Sequence, residues 1–89
     1  MTPDQKKMLR DALLAALVIS APLSLPFARL KAAAKAMAFE LPDDELAREI
    51  DYLVKSGLVT VKAETLSAGA KRYESTAKAT DYCESEGIV

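Results

Sequence analysis

Apolar positions in the first 55 residues recur at helical spacing, and beyond Gly57 they alternate. The opening Thr2-Pro-Asp-Gln5 has capping-box spacing with proline at the first helical position, so a helix is expected from Pro3 to about Ser20. Its inward stripe is Leu9, Leu13, Ala16 and Leu17, while Leu14, Val18 and Ile19 extend the apolar surface to other sides. Such a helix is either covered on two sides within one core or pairs with a second copy through Leu14, Val18 and Ile19. Pro22 ends it. Ser24-Leu-Pro26-Phe27 predicts a restart, capped by Ser24 or Leu25, with a helix to about Ala38 burying Phe27, Leu30, Ala34 and Met37.

Pro42-Asp-Asp-Glu45 reads as the start of a third helix, with acids against the positive end of its dipole. It is expected to run to Lys55, to bury Leu46, Ile50, Leu53 and Val54, and to stop at Gly57. Leu58 to Lys62 then predicts a strand, Glu64 to Gly69 a polar loop, and Ala70 to Ser75 a second strand. Thr76 caps a closing helix through about Glu84 that buries Ala79, Tyr82 and Cys83. The fold class is mainly α with a small β-hairpin, in a single domain spanning residues 1–89.

Composition narrows the chemistry. The 89 residues are 51% hydrophobic and 28% charged, which is globular composition. A chain of this length buries only about 60–65% of its unfolded surface, leaving little room for a substrate cleft. The absence of histidine removes imidazole catalysis and histidine metal sites, and the three glycines form no phosphate-cradling pattern. The lone Cys83 reads as a packing residue, and no disulfide asks for an oxidising compartment, so a cytoplasmic protein is expected. Ala12 to Ala28 is uncharged and follows Lys6, Lys7 and Arg10, but Pro22 and Pro26 interrupt it and no small-x-small cleavage site is well placed. Neither export nor membrane insertion is expected. No catalytic residue, cofactor or metal site follows from these residues; the carboxylates Asp43, Asp44, Glu45 and Glu49 lack the alternating-oxygen spacing of a calcium loop.

Three helices, a two-stranded wing and a closing helix resemble the layout of the winged helix-turn-helix superfamily. The stretch ELAREIDYLVKSGLV, residues 45–59, is similar to that superfamily's third helix and first wing strand. KRYESTAKATDY, residues 71–82, resembles its second wing strand and closing helix, with Ser75 in place of the usual leucine and Ala79 in place of the usual glycine. In size and arrangement the chain is similar to small stand-alone winged-helix proteins of temperate phages and prophages. The resemblance implies a transcriptional regulator or accessory factor, with the third helix in the DNA major groove and the wing on the backbone. Arg29, Lys31, Lys35, Lys62, Lys71 and Arg72 would then meet phosphates, with Arg48 and Tyr52 as candidate base readers.

Charge complicates that expectation. Residues 1–39 carry six basic and two acidic side chains and residues 52–80 carry five and two, but residues 40–51 carry one basic and six acidic. The acids sit on the helix that would enter the groove, where a polyanion repels them. Asp44 with Arg48 and Asp51 with Lys55 have the favourable acid-first i,i+4 spacing. A second reading therefore stays open: a protein-interaction adaptor that uses Asp43, Asp44, Glu45 and Glu49 and binds no DNA.

Overall fold

The computed structural model describes residues 1–63 and 71–89. Its elements are α1 (Pro3–Ser20), β1 (Leu25–Pro26), α2 (Phe27–Ala36), α3 (Asp43–Lys55), β2 (Val59–Ala63), β3 (Lys71–Ser75) and α4 (Ala77–Ser85). The anticipated loop Glu64 to Gly69, and Ala70, lie outside the described residues. No described helix is long and apolar enough to cross a membrane.

Helix α1 starts where its capping box places it. The Gln5 amide donates to Thr2 Oγ1 at 3.2 Å, and the Thr2 amide donates to Gln5 Oε1 at 2.9 Å. Leu9, Leu13, Leu14 and Leu17 are each at most 1% exposed and form one cluster with Leu30, Leu46, Ile50, Leu53, Val59, Ala79 and Cys83. Leu14 therefore belongs to the chain's own core and offers nothing to a second copy, a correction to the expected seam. Val18 is half-buried against the same core, whereas Ile19 is exposed. At about 1.5–3 kcal/mol per buried leucine, this stripe supplies about 6–12 kcal/mol, comparable with the whole net stability of a domain of this size.

Three of the described helices end in the same way. After α2, α3 and α4 the residue two past the helix has positive φ: Ala38 at 64°, Gly57 at 80° and Gly87 at 68°. The following amide, of Phe39, Leu58 or Ile88, then donates to the carbonyl five residues back, of Ala34, Leu53 or Cys83. This is the Schellman arrangement. In each case the accepting residue is buried, and the residue past the turn packs half-buried on the core. The apolar contact and the hydrogen bonds thus stop each helix together.

Two expectations around α2 are corrected. The helix begins at Phe27 with Pro26 as its cap residue, and Ser24 does not cap it. Leu25 and Pro26 instead pair antiparallel with Tyr73 and Arg72, making a three-stranded sheet of order β1-β3-β2. The cause is local and tertiary at once: a residue before proline favours extended backbone, and proline is tolerated at a sheet edge. Arg72 completes the junction, its Nε donating to Ser24 Oγ at 2.9 Å and its Nη2 to the Ser24 carbonyl at 2.7 Å. At the other end α2 stops at Ala36, and Met37, expected inward, is 51% exposed because the left-handed Ala38 turns the chain before another helical turn can bury it.

Thr76 caps α4 by accepting from the Ala79 amide at 3.3 Å and donates its own hydroxyl proton to the Gly57 carbonyl at 2.7 Å. Lys78 donates to the Ser56 carbonyl at 2.9 Å, so the start of α4 satisfies the end of α3.

Replacing Ala38 by glycine should raise stability by about 1 kcal/mol, because the left-handed conformation penalises a Cβ. Arg72→Ala should lower it by about 1–3 kcal/mol, while Lys71→Ala changes it by no more than about 0.5 kcal/mol. Urea unfolding of the three variants measures both effects.

Candidate nucleic-acid interface

The two helices α2 and α3 are joined through residues 37–42, and an exposed ion pair spans the junction. Lys31 on α2 holds Asp43, the first residue of α3, at 2.7 Å. Helix α3 has no side-chain cap, and its first turn carries three exposed carboxylates, Asp43, Asp44 and Glu45, whose charge suits the positive end of its dipole.

Behind this turn α3 is clamped to α1. Arg10 Nε bonds Glu49 Oε1 at 2.8 Å, and the Arg10 guanidinium stacks 3.9 Å from the centre of the Tyr52 ring. Glu49 is therefore half-buried and turned to α1, which removes it from the acidic surface expected with Asp43, Asp44 and Glu45. Tyr52 is half-exposed, but one face of its ring is covered by Arg10. Arg10 is the residue that sequence reasoning missed, because on α1 alone it looks like a solvated cation; the i,i+3 offset of Glu49 and Tyr52 on α3 is the signal that one partner could meet both.

The remaining outward ridge of α3 is made of two i,i+4 pairs, both anticipated. Lys55 meets Asp51 at 2.9 Å, and Arg48 stands 3.7 Å from Asp44, longer than a hydrogen bond. Arg48 is thus exposed and only loosely held. On the strands, Lys62 is paired with Glu74 at 2.6 Å. Arg29, Lys35 and Lys71 are exposed and make no ion pair or hydrogen bond among the described residues. Arg72, expected on the same surface, is half-buried and spends its guanidinium on Ser24, so its role in the structure is to hold β1.

A second polar network braces α1 against α4. The Tyr82 hydroxyl donates to Asp11 at 2.7 Å, and Lys7 bonds Asp11 at 2.8 Å and reaches Glu86 at 3.4 Å. The Asp11 carboxylate holds the Lys7 ammonium above the ordinary lysine range. Burial, with help from Asp11, pushes the Tyr82 phenol above its ordinary value, and burial does the same for Tyr73. Burial also raises the Cys83 thiol, which leaves it protonated and unreactive.

No family model and no curated protein matches the sequence. Solved structures do match the fold. Along 100% of this chain and 57% of the other, it superposes on a cysteine-to-serine mutant of MarR from E. coli with a TM-score of 0.68 and 21% identity. The same mutant complexed with operator DNA matches over 96% of this chain and 52% of its own, with a TM-score of 0.66 and 21% identity.

The fold is a winged helix.

The Adhesin competence repressor (AdcR) from Streptococcus pyogenes matches likewise, over 98% of this chain and 54% of its own, with a TM-score of 0.64 and 20% identity. The chain spans about half the length of these structures. In winged-helix terms α2 and α3 are the helix-turn-helix pair, β2 and β3 the wing, and β1 the short strand that completes the sheet on the far side of β3.

The raised phenols give a pH prediction. A phenol whose folded pKa lies above its unfolded value keeps its proton longer in the fold, so its contribution is complete below about pH 10 and is lost as pH rises through the folded values. Urea unfolding at about pH 8 and about pH 11 should show a weaker fold at the higher pH. Tyr82→Phe, which removes one of the two phenols, should lose part of that difference.

Proposed function

We propose that this chain is a DNA-binding transcription regulator, with α3 seated in the major groove of duplex DNA and the wing on the phosphate backbone. The observation that carries the reading is the fold match along nearly the whole chain to a MarR mutant complexed with operator DNA. The cations support it: Arg29 and Lys35 on α2, Arg48 on α3 and Lys71 on the wing are exposed and unpaired or loosely paired. Arg29, Lys35 and Lys71 position the protein on phosphates, while Arg48 is the base reader, since a guanidinium can bond a guanine edge in bidentate fashion. Tyr52 braces α3 through Arg10 and contributes at most its open face.

The acids of the first turn are compatible with this pose because they are already answered. Asp43 is paired with Lys31, and Asp44 stands near Arg48. A phosphate must compete with those carboxylates, so binding is modest and steeply salt-dependent. The regulator works in the cytoplasm, where duplex DNA and a free thiol are both at home.

Anisotropy of a labelled random-sequence duplex tests the reading. With about three phosphates neutralised, the slope of log K against log salt should be about −3, and Lys71→Ala should reduce its magnitude by about 1. Asp43→Asn should tighten binding by about threefold to tenfold, because it removes a carboxylate from the approach to a polyanion and releases Lys31. Absence of binding at low salt would overturn the proposal and leave the exposed turn Asp43-Asp44-Glu45 as a surface for a basic protein partner.

A further inference from the structure

The side of α3 turned away from the core carries a regular alternation of charge. Leu46, Ile50 and Leu53 are buried and mark its inner side. At about 100° per residue the positions opposite them are Asp44, Arg48, Asp51 and Lys55, all exposed. Acid and base therefore alternate along one ridge, in two pairs that differ in closeness. Lys55 Nζ meets Asp51 Oδ2 at 2.9 Å, so each satisfies the other. Arg48 Nη2 stands 3.7 Å from Asp44 Oδ2, and the two side chains are 76% and 73% exposed. At that distance neither uses the hydrogen-bonding capacity of the other, and neither side chain has another partner among the described residues.

The neighbouring acids are placed elsewhere. Asp43 turns to Lys31 of α2, and Glu49 to Arg10 of α1. Glu45 lies on the α1 flank, where it lines a depression with Lys6. Asp43 and Glu45 already supply negative charge at the positive end of the helix dipole, so Asp44 is not needed for that purpose. It is the carboxylate of the first turn that stands on the outer ridge, beside an arginine that it does not close upon.

We propose that Asp44 and Arg48 select DNA sequence as a unit, Arg48 donating to N7 and O6 of a guanine and Asp44 accepting the free N4 hydrogen of the cytosine in the adjacent base pair. The selected site then contains two consecutive G·C pairs. This rests on the DNA-binding reading above and names the bases that the α3 ridge selects. The separation of 3.7 Å between the two charged groups is close to the rise of about 3.4 Å between successive bases, so both can engage neighbouring pairs without moving apart. A carboxylate only accepts, and cytosine is the base that presents an amino donor in the major groove with no acceptor of its own beside it. Adenine sets N7 next to its amino group, while guanine and thymine present acceptors, and each of these repels a carboxylate. Asp44 thus acts largely by exclusion: it weakens contact with every sequence and weakens it least where a cytosine answers it. The closed pair Asp51 and Lys55 has no free donor or acceptor facing the other and contributes a neutral continuation of the ridge.

Selection by the wild-type chain from a library of randomised duplexes should enrich sites with two consecutive G·C pairs. Anisotropy at low salt on the enriched duplex then measures the contact. Each cytosine of the step is replaced in turn by 2-pyrimidinone, which lacks the 4-amino group. At one of the two positions the replacement should weaken wild-type binding about tenfold, and Asp44→Ala should be indifferent to it. Asp44→Ala should also bind random-sequence duplex more tightly than the wild type. Asp43→Asn, off the ridge, should tighten binding to all sequences alike and keep the preference for cytosine. Far-UV circular dichroism establishes that both variants are folded. If the enriched sites lack consecutive G·C pairs, or Asp44→Ala still distinguishes cytosine from 2-pyrimidinone, the assigned base contact is overturned while DNA binding stands. A chain that binds no duplex at low salt overturns the DNA-binding reading and this base contact with it.

Discussion

Burial of the α1 leucines is the constraint from which the rest of the structure follows. Leu9, Leu13, Leu14 and Leu17 are all essentially inaccessible, which one helix face cannot achieve against a single neighbour. At 3.6 residues per turn the buried set spans about 140° of the helix circumference, and α2, α3, α4 and β3 all pack on α1. That demand sets the layout, in which α2, α3, α4 and the sheet each cover part of the α1 surface. Truncating any of these leucines removes both transfer energy and packing, typically about 2–5 kcal/mol in a core that cannot collapse.

The helix ends turn this packing into definite geometry. A Schellman turn satisfies orphan carbonyls and at the same time presses an apolar residue onto the helix just finished. Phe39, Leu58 and Ile88 each serve that purpose, so the chain leaves α2, α3 and α4 in directions set by burial. Helix α3 is then trimmed by polar contacts: Lys31 at its first residue, Arg10 along its flank, Thr76 and Lys78 at its end. A helix held at both ends and along one side presents its outer ridge in one orientation, which a pre-organised binding surface needs.

Charge is distributed with the same economy. Four cations of the α2, α3 and wing surface already have carboxylate neighbours, at Lys31, Arg48, Lys55 and Lys62. Exposed pairs of this kind contribute only about 0–1 kcal/mol each to stability. Their larger effect is to keep a nearly neutral protein from carrying a strong single-sign field, which makes any polyanion contact weak enough to be adjusted by salt and by single substitutions.

Much of this was legible in the sequence because it is local. The Thr2 capping box, the proline and acids at the start of α3, Gly57 after α3 and the change of period at Leu58 each act within a few residues, and each stands where the pattern put it. The end of α2 was not legible, since Ala38 takes a conformation that glycine normally marks. Nor was β1, whose two residues read as a helix start until β3 lies beside them. Side chains that reach between elements were hidden for a different reason: Arg72 looked like a surface cation and is a clamp on Ser24, Glu49 looked like part of an acidic patch and faces Arg10, and Leu14 looked like spare apolar surface and is core. Backbone propensity and amphipathic period belong to short stretches of chain and can be read from them. The partner of an arginine, or the face of α1 left uncovered at Ile19, depends on which elements arrive beside it, and that is decided only when the whole core closes.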